Sequence, residues 1–255
     1  MARNLKITLS YDGAEFSGWQ VQPGRRTVQG ELQEALTRLT GEKHLPQGSG
    51  RTDAGVHALA QVATWSTESP IPVANYLKAL NDILPPAIRV LRVEEVAADF
   101  HARKSAKAKT YHYRIYRGDV CPPFLARYVH HHPYPLDEPA MSDAAGVVVG
   151  EHDFTSFAAV DPERHQRVVD PDEETDNVRT VFSSAWSREG DEFVYRVRGD
   201  GFLHHMVRNL VGTFLLVGKG TLKRADLRRI LELKDRSAAG ATAPAEGLYL
   251  VGVEY

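Results

Sequence analysis

Residues Gly48–Trp65, GSGRTDAGVHALAQVATW, confine a single acid to a tight turn that runs into an extended segment. Gly50 and Gly55 bracket Arg51-Thr52-Asp53-Ala54. Glycine lacks a Cβ, so it takes up positive φ without penalty and lets another backbone or a ligand come close. Arg51 brings a planar, permanently charged fork two residues before the acid. Beyond the turn the residues alternate. Gln61, Ala63 and Trp65 fall on one face and Val62, Thr64 and Ser66 on the other, the period of a β-strand. An acid held at the mouth of a strand is suited to act as a nucleophile or general base. Turn chemistry offers a second reading, in which Asp53 caps the turn through nearby backbone N–H groups.

The rest of the chain alternates strands and helices without a regular βαβ rhythm. Leu5, Ile7 and Leu9 alternate with polar residues, as in a strand. Thr27 caps an expected helix with apolar Val28, Leu32, Leu36 and Leu39, ended by Gly41. Pro72 opens a second helix that stops at Pro85-Pro86. Strands are expected over Ile88–Val96 and Lys109–Tyr116, and a helix over Met141–Val149. Asp161–Asn177 is polar and punctuated by proline, and reads as a mobile loop. A hairpin follows, Val178–Trp186 with Glu192–Arg198, then helices Phe202–Val217 and Ala225–Leu233 and a last strand, Leu248–Glu254. The fold class is therefore α+β with a largely antiparallel sheet, each half holding a strand–helix–strand–helix–strand set. The expected halves are residues 1–104 and 105–255, with the boundary between Phe100 and Lys109.

A chain of 255 residues, 42% hydrophobic and 25% charged, has ordinary globular composition. No segment approaches the ~20 apolar residues of a membrane span, and the first residues carry no signal-peptide pattern. Cys121 is the single cysteine, which excludes an intrachain disulfide and a cysteine metal cluster. A cytoplasmic location is the expectation. Net charge is −2, yet six Lys or Arg and no acid lie between His101 and Gly118: Arg103, Lys104, Lys107, Lys109, Arg114 and Arg117. Tyr111, Tyr113 and Tyr116 are interleaved with them. Cations alternating with aromatics suit single-stranded nucleic acid; a solvated strand face would look the same.

Two further residues carry chemistry. Arg208 lies among Met206, Val207, Leu210 and Val211, where a charge needs an ion partner, a polar cleft or a path to solvent along its own stem. Tyr111 offers a flat stacking face and a hydroxyl, though a strand tyrosine is also an ordinary core residue. Tyr113 falls on the same face. The histidines do not show metal-ligand spacing: His130, His131 and His132 are adjacent and cannot all face one ion from a strand, and His204–His205 lack a same-face helical partner. No metal site is expected.

Five ordered blocks carry a resemblance. GRTDAGVHALAQV is similar to the signature of the tRNA pseudouridine synthase I (TruA) family. LSYDGAEFSGWQVQP resembles that family's opening strand and loop, DFHARKSAKAKTYHYRIY its second motif, GFLHHMVRNLVG its third, and AAGATAPAEGLYLVGVEY its final loop and strand. The resemblance implies two α+β halves with joined sheets and a central cleft, and isomerisation of uridine to pseudouridine at tRNA positions 38–40. It implies Asp53 as the nucleophile, attacking C1′ of the ribose or C6 of the uracil, with Arg208 as its charge partner. It implies Tyr111, first in YHY, as the residue that stacks on the flipped base and takes the C5 proton. Arg51 and Lys104, Lys107 and Lys109 become candidate RNA contacts. The reaction involves no redox change and no net hydrolysis, so no cofactor is expected. The implied partners are tRNA and a second copy of the chain, as a homodimer.

Two other functions use some of the same residues. A nucleic-acid glycosidase would also put an acid beside a flipped base, but it recruits water with a second acid. A non-catalytic RNA-binding module would use the basic segment alone and has no need of an acid beside an arginine.

Overall fold

A computed structural model describes residues 2–159 and 176–255. The expected loop Asp161–Asn177 therefore lies outside the described residues, apart from its last two. In chain order the first elements are β1 (Arg3–Tyr11), α1 (Val28–Thr40), β2 (Gln47–Gly48), β3 (His57–Thr67), α2 (Val73–Ile83) and β4 (Ile88–Val96). Next come β5 (Ala108–Tyr116), β6 (His130–His131), α3 (Glu138–Ala145), β7 (Gly150–Asp153), β8 (Val178–Glu189) and β9 (Glu192–Gly199). The chain ends with α4 (Met206–Gly218), α5 (Arg224–Leu233) and β10 (Leu248–Glu254). The class is α+β, and the strand pairs are largely antiparallel. Two compact units emerge, one of residues 1–110 with 245–255 and one of residues 111–244, the division falling within β5.

In the first unit the sheet order is β4-β1-β3-β10, with β2 beside β3. Leu5 pairs with Trp65 and Ile7 with Ala63 across β1 and β3. The alternation of β1 does what its pattern dictates: Leu5, Ile7 and Leu9 are fully buried. Thr27 caps α1 by accepting from Gly30 N at 3.2 Å, and Gly41 ends it at φ 77. Val28, Leu32 and Leu36 of α1 and Tyr76 and Leu80 of α2 have no solvent exposure. β3 differs from its alternating pattern, since Gln61, Val62, Ala63, Thr64 and Trp65 are all buried. It is an interior strand, paired antiparallel to β1 and parallel to β10, where Tyr249 meets His57. β10, read from sequence with the C-terminal half, lies in this first unit.

In the second unit the order is β5-β9-β8-β7, with β6 running parallel to β5. β8 and β9 form the expected hairpin, turning at Gly190 with φ 57. Trp186 stacks on Phe193 at 4.6 Å and meets Phe214 of α4 edge-on at 6.1 Å. Among the thirteen residues of α4 only Arg208 and Leu216 escape burial.

Three sequence expectations are corrected here. The helix over Met141–Val149 is α3, which starts earlier because Asp137 accepts from Ala140 N at 2.9 Å; residues 146–148 tighten into a 3-10 turn. The helix expected from Phe202 begins at Met206, because His205 sits in the left-handed region at φ 59. The second unit reads β5-β6-α3-β7-β8-β9-α4-α5, not a strand–helix–strand–helix–strand set.

Candidate active site

The turn that carries Asp53 is clamped from several sides within the first unit. Trp19 N donates to Thr52 O at 3.0 Å, Gly55 N to Phe16 O at 3.3 Å, and Val56 N to Asp53 O at 3.1 Å. The loop after β1 approaches so closely that a Cβ on Gly18 would lie 2.6 Å from Thr52 O, and one on Gly13 only 2.0 Å from Val56 O. Gly55 supplies the left-handed residue at φ 80. Thr52 is buried, and its hydroxyl meets the Tyr11 hydroxyl at 2.8 Å. Burial pushes the Tyr11 phenol well above its ordinary pKa, so that contact is between neutral groups. Gln61 accepts from Ser49 Oγ at 2.7 Å and donates to Gly50 O at 2.9 Å, which fixes the start of the turn. Side chains of the turn then alternate in exposure: Arg51 exposed, Thr52 buried, Asp53 half-buried.

Gly50 is not a positive-φ residue. Its missing side chain makes room, since a Cβ there would stand 3.2 Å from Lys109 Nζ. Arg51, Asp53 and Lys109 thus belong to the first unit, Arg51 and Asp53 on one turn and Lys109 against its first residue. Lys104 and Lys107 also lie in the first unit and are exposed, whereas Lys109 is half-buried.

Tyr111 and Arg208 belong to the second unit. On β5 burial alternates as expected, with Tyr111, Tyr113 and Ile115 inside. Tyr111 is 7% exposed and its ring meets Phe202 edge-on at 5.1 Å. Tyr113 has no exposure, and its hydroxyl donates to Pro244 O at 2.9 Å and lies 3.2 Å from His130 Nδ1.

Arg208 stands in the first turn of α4, half-buried. Its Nε donates to Ala243 O at 2.7 Å. The segment after α5 is drawn onto α4 by Gly240 N donating to Thr213 Oγ1 at 2.9 Å and by the lack of a Cβ on Gly212, where one would fall 1.7 Å from Ala241 O. Asn209, fully buried, donates to Phe157 O at 2.7 Å and accepts from Arg236 at 2.9 Å and Thr242 at 2.7 Å. Asn209, Arg236 and Gly212 support Arg208 and were not singled out from sequence. Gly212 inside an apolar helix was the one visible signal.

The basic segment divides in two. Arg114 forms a bidentate pair with Glu192, at 2.6 and 2.5 Å. Arg117 pairs with Glu138 at 3.1 Å and donates to His132 O. These two cations are paired with acids of the second unit, and neither was among the candidate RNA contacts. The histidines are likewise engaged: His101 Nδ1 accepts from Arg103 N at 3.0 Å, and His131 Nε2 lies 2.9 Å from Gly118 O. Burial, with His132, Lys219 and His131 nearby, pulls the His130 pKa down to about 4. Among the described residues no helix is long and apolar enough to cross a membrane.

A family model described as tRNA pseudouridine synthase matches residues 7–103 and 144–255. The chain belongs to this family. The synthase is 54% identical to the tRNA pseudouridine synthase A of Solibacter usitatus over 253 residues, covering 99% of this chain and all of that protein. It is 48% identical to that of Moorella thermoacetica over 254 residues, 98% of this chain and 99% of the other, and 47% identical to that of Brevibacillus brevis over 253 residues, 99% and 100%. Arg51, Asp53 and Arg208 fall inside the segments matched by the family model, while Tyr111 and the three lysines fall between them. The synthase is an isomerase.

Proposed function

We propose that the synthase isomerises uridine to pseudouridine at positions 38–40 of the tRNA anticodon arm. The observation that carries this reading is the clamped turn, with a half-buried acid two residues after an exposed arginine on a backbone held by hydrogen bonds to the loop after β1. A base in a stem must leave the stack to reach such an acid. Asp53 attacks the extruded nucleotide at C1′ or C6. The N1–C1′ bond breaks, the uracil turns, C5 bonds to C1′, and the bond to Asp53 breaks to return the carboxylate. The C5 proton must then leave and N1 must gain one. Tyr111 stacks on the uracil and accepts the C5 proton. Arg208, fixed through Nε, brings positive charge to the reacting carboxylate. Arg51, Lys104 and Lys107 hold the RNA backbone, and two copies of the chain form a homodimer around one tRNA.

Support comes from the family and from the roles the geometry leaves to each residue. Tyr111 is taken as the proton acceptor because it stands first in YHY, the position the family motif gives the substrate tyrosine. The test is a set of tRNA transcripts with uridine at 38, 39 or 40 only, or at none, each incubated with enzyme and mapped for pseudouridine. Conversion confined to 38–40 is expected. Conversion elsewhere in the transcript lacking those uridines would overturn the site assignment, and release of free uracil would point to a glycosidase.

A further inference from the structure

Lys104, Lys107 and Lys109 occupy one short basic stretch, yet the fold treats the third differently. Lys104 and Lys107 are exposed. Lys109 is half-buried, and its side chain runs to Gly50, the first glycine of the catalytic turn. A Cβ on Gly50 would stand 3.2 Å from Nζ and 3.7 Å from Cε, so the end of the lysine packs against the open face of Gly50 and would have to give by a few tenths of an ångström if a side chain stood there. Gly50 is not a positive-φ residue, so what sets the position apart is the approach of Lys109 and not backbone freedom. The main chain at the contact is itself fixed, since Gly50 O accepts from Gln61 Nε2 at 2.9 Å. The stem of Lys109 starts from an equally fixed strand: Ala108 beside it is buried, and Lys107 N donates to Glu254 O at 2.8 Å.

We infer that Lys109 is a positioning residue, whose ammonium packs into the Gly50 notch and fixes the Arg51-Thr52-Asp53 turn, and that it is not one of the phosphate contacts. The inference rests on the reading of Asp53 as the nucleophile. A phosphate-binding lysine gains from exposure and freedom, because it trades condensed counterions for its own charge. A half-buried ammonium gives up hydration and keeps its place only where local groups compensate it. Asp53 lies three residues on from Gly50, so a fixed contact at Gly50 limits how far the turn, and the acid with it, can shift from its reacting position.

The experiment compares Lys109→Met, Lys109→Arg and Asp53→Asn in the full chain. It measures single-turnover rate at saturating tRNA, and tRNA affinity across a salt series. Lys109→Met keeps the stem and removes the charge. It is expected to slow turnover roughly tenfold or more, with affinity within about twofold and an unchanged salt slope. Lys109→Arg is expected to recover most of the rate. A parental rate in Lys109→Met, or a salt slope shallower by about 0.7–0.9 as for one lost phosphate contact, would overturn the inference. If Asp53→Asn also keeps its rate, the reading of the turn itself fails. If Asp53→Asn is inactive while Lys109→Met is unimpaired, only the role of Lys109 fails. Should Lys109→Met not fold, Lys109→Gln serves instead, since it keeps a polar end and removes the charge. A several-fold slower turnover with unchanged tRNA affinity is expected there, and a parental rate would overturn the inference.

Discussion

Arg208 and Ala243 grip each other twice: Arg208 Nε donates to Ala243 O at 2.7 Å, and Ala243 N donates to Arg208 O at 3.1 Å. The side chain is thereby fixed to the same residue that fixes its backbone. Lysine has one ammonium and no planar fork, so it cannot hold the carbonyl as Nε does and still place its charge where the guanidinium lies. Arg208→Lys is expected to lose about 1.5–3 kcal/mol of stability, the range for a hydrogen bond to a charged group. Turnover should fall at least roughly tenfold, with tRNA affinity nearly unchanged. Urea denaturation and single-turnover kinetics check both, and parental activity would show that a point charge suffices.

Tyr111 and Tyr113 should respond oppositely to loss of their hydroxyls. Tyr111→Phe keeps the ring against Phe202 and should slow chemistry by about 10²–10⁴-fold. Tyr113→Phe strips the donor from the Pro244 carbonyl and should cost about 1–3 kcal/mol while leaving turnover close to parental. The same two measurements on both variants decide it. The reverse pattern would move the proton acceptor to Tyr113.

Gly212→Ala should be severely destabilising. Its Cβ would fall 1.7 Å from Ala241 O, and both partners are backbone, so α4 or the 239–244 segment must move. Overpacking of this kind costs about 1–3 kcal/mol or more. Thermal denaturation should show a large drop in Tm. An unchanged Tm would mean that α4 and this segment do not pack as described.

Acid should destabilise the second unit through His130. Its folded pKa is lowered from 6.5 to about 4 by burial first, then by His132, Lys219 and His131. The Tyr113 hydroxyl also faces it. The unfolded chain therefore takes up a proton that the folded chain refuses. The stabilisation is fully present above about pH 6.5 and is lost progressively as pH falls toward 4, by up to about 3 kcal/mol before allowance for solvent screening. His132, whose pKa is also lowered, adds in the same direction. His130→Gln should flatten the dependence of stability on pH in that window. An equal slope in parent and variant would exclude His130 as its source.

Elements whose signals are local were legible in the sequence. Thr27 and Gly41 bound α1 because a cap and a left-handed glycine act within one helical turn. The Asp53 turn was legible for the same reason. Features set by distant residues were not. Arg114 reads as part of a basic stripe until Glu192 arrives from 78 positions away. The start of α4 reads four residues early because nothing in Phe202–His205 announces a left-handed histidine. β10 pairs in parallel with β3 in the first unit, although it is the last strand of the chain. The notch at Gly50 was visible as a glycine, but its occupant, Lys109, lies on a strand beyond one helix and two other strands.

The central claim is that Asp53 performs the isomerisation. The direct measurement is tritium release from tRNA labelled with tritium at uridine C5, in parallel with tRNA binding, for the parent and Asp53→Asn. Asn keeps the shape of the side chain in its clamped turn and removes the nucleophilic charge. The expected result is rapid release without free uracil in the parent. In Asp53→Asn, no release should be detectable, while tRNA affinity is within about threefold of the parent. Release by Asp53→Asn within about tenfold of the parental rate would contradict the account.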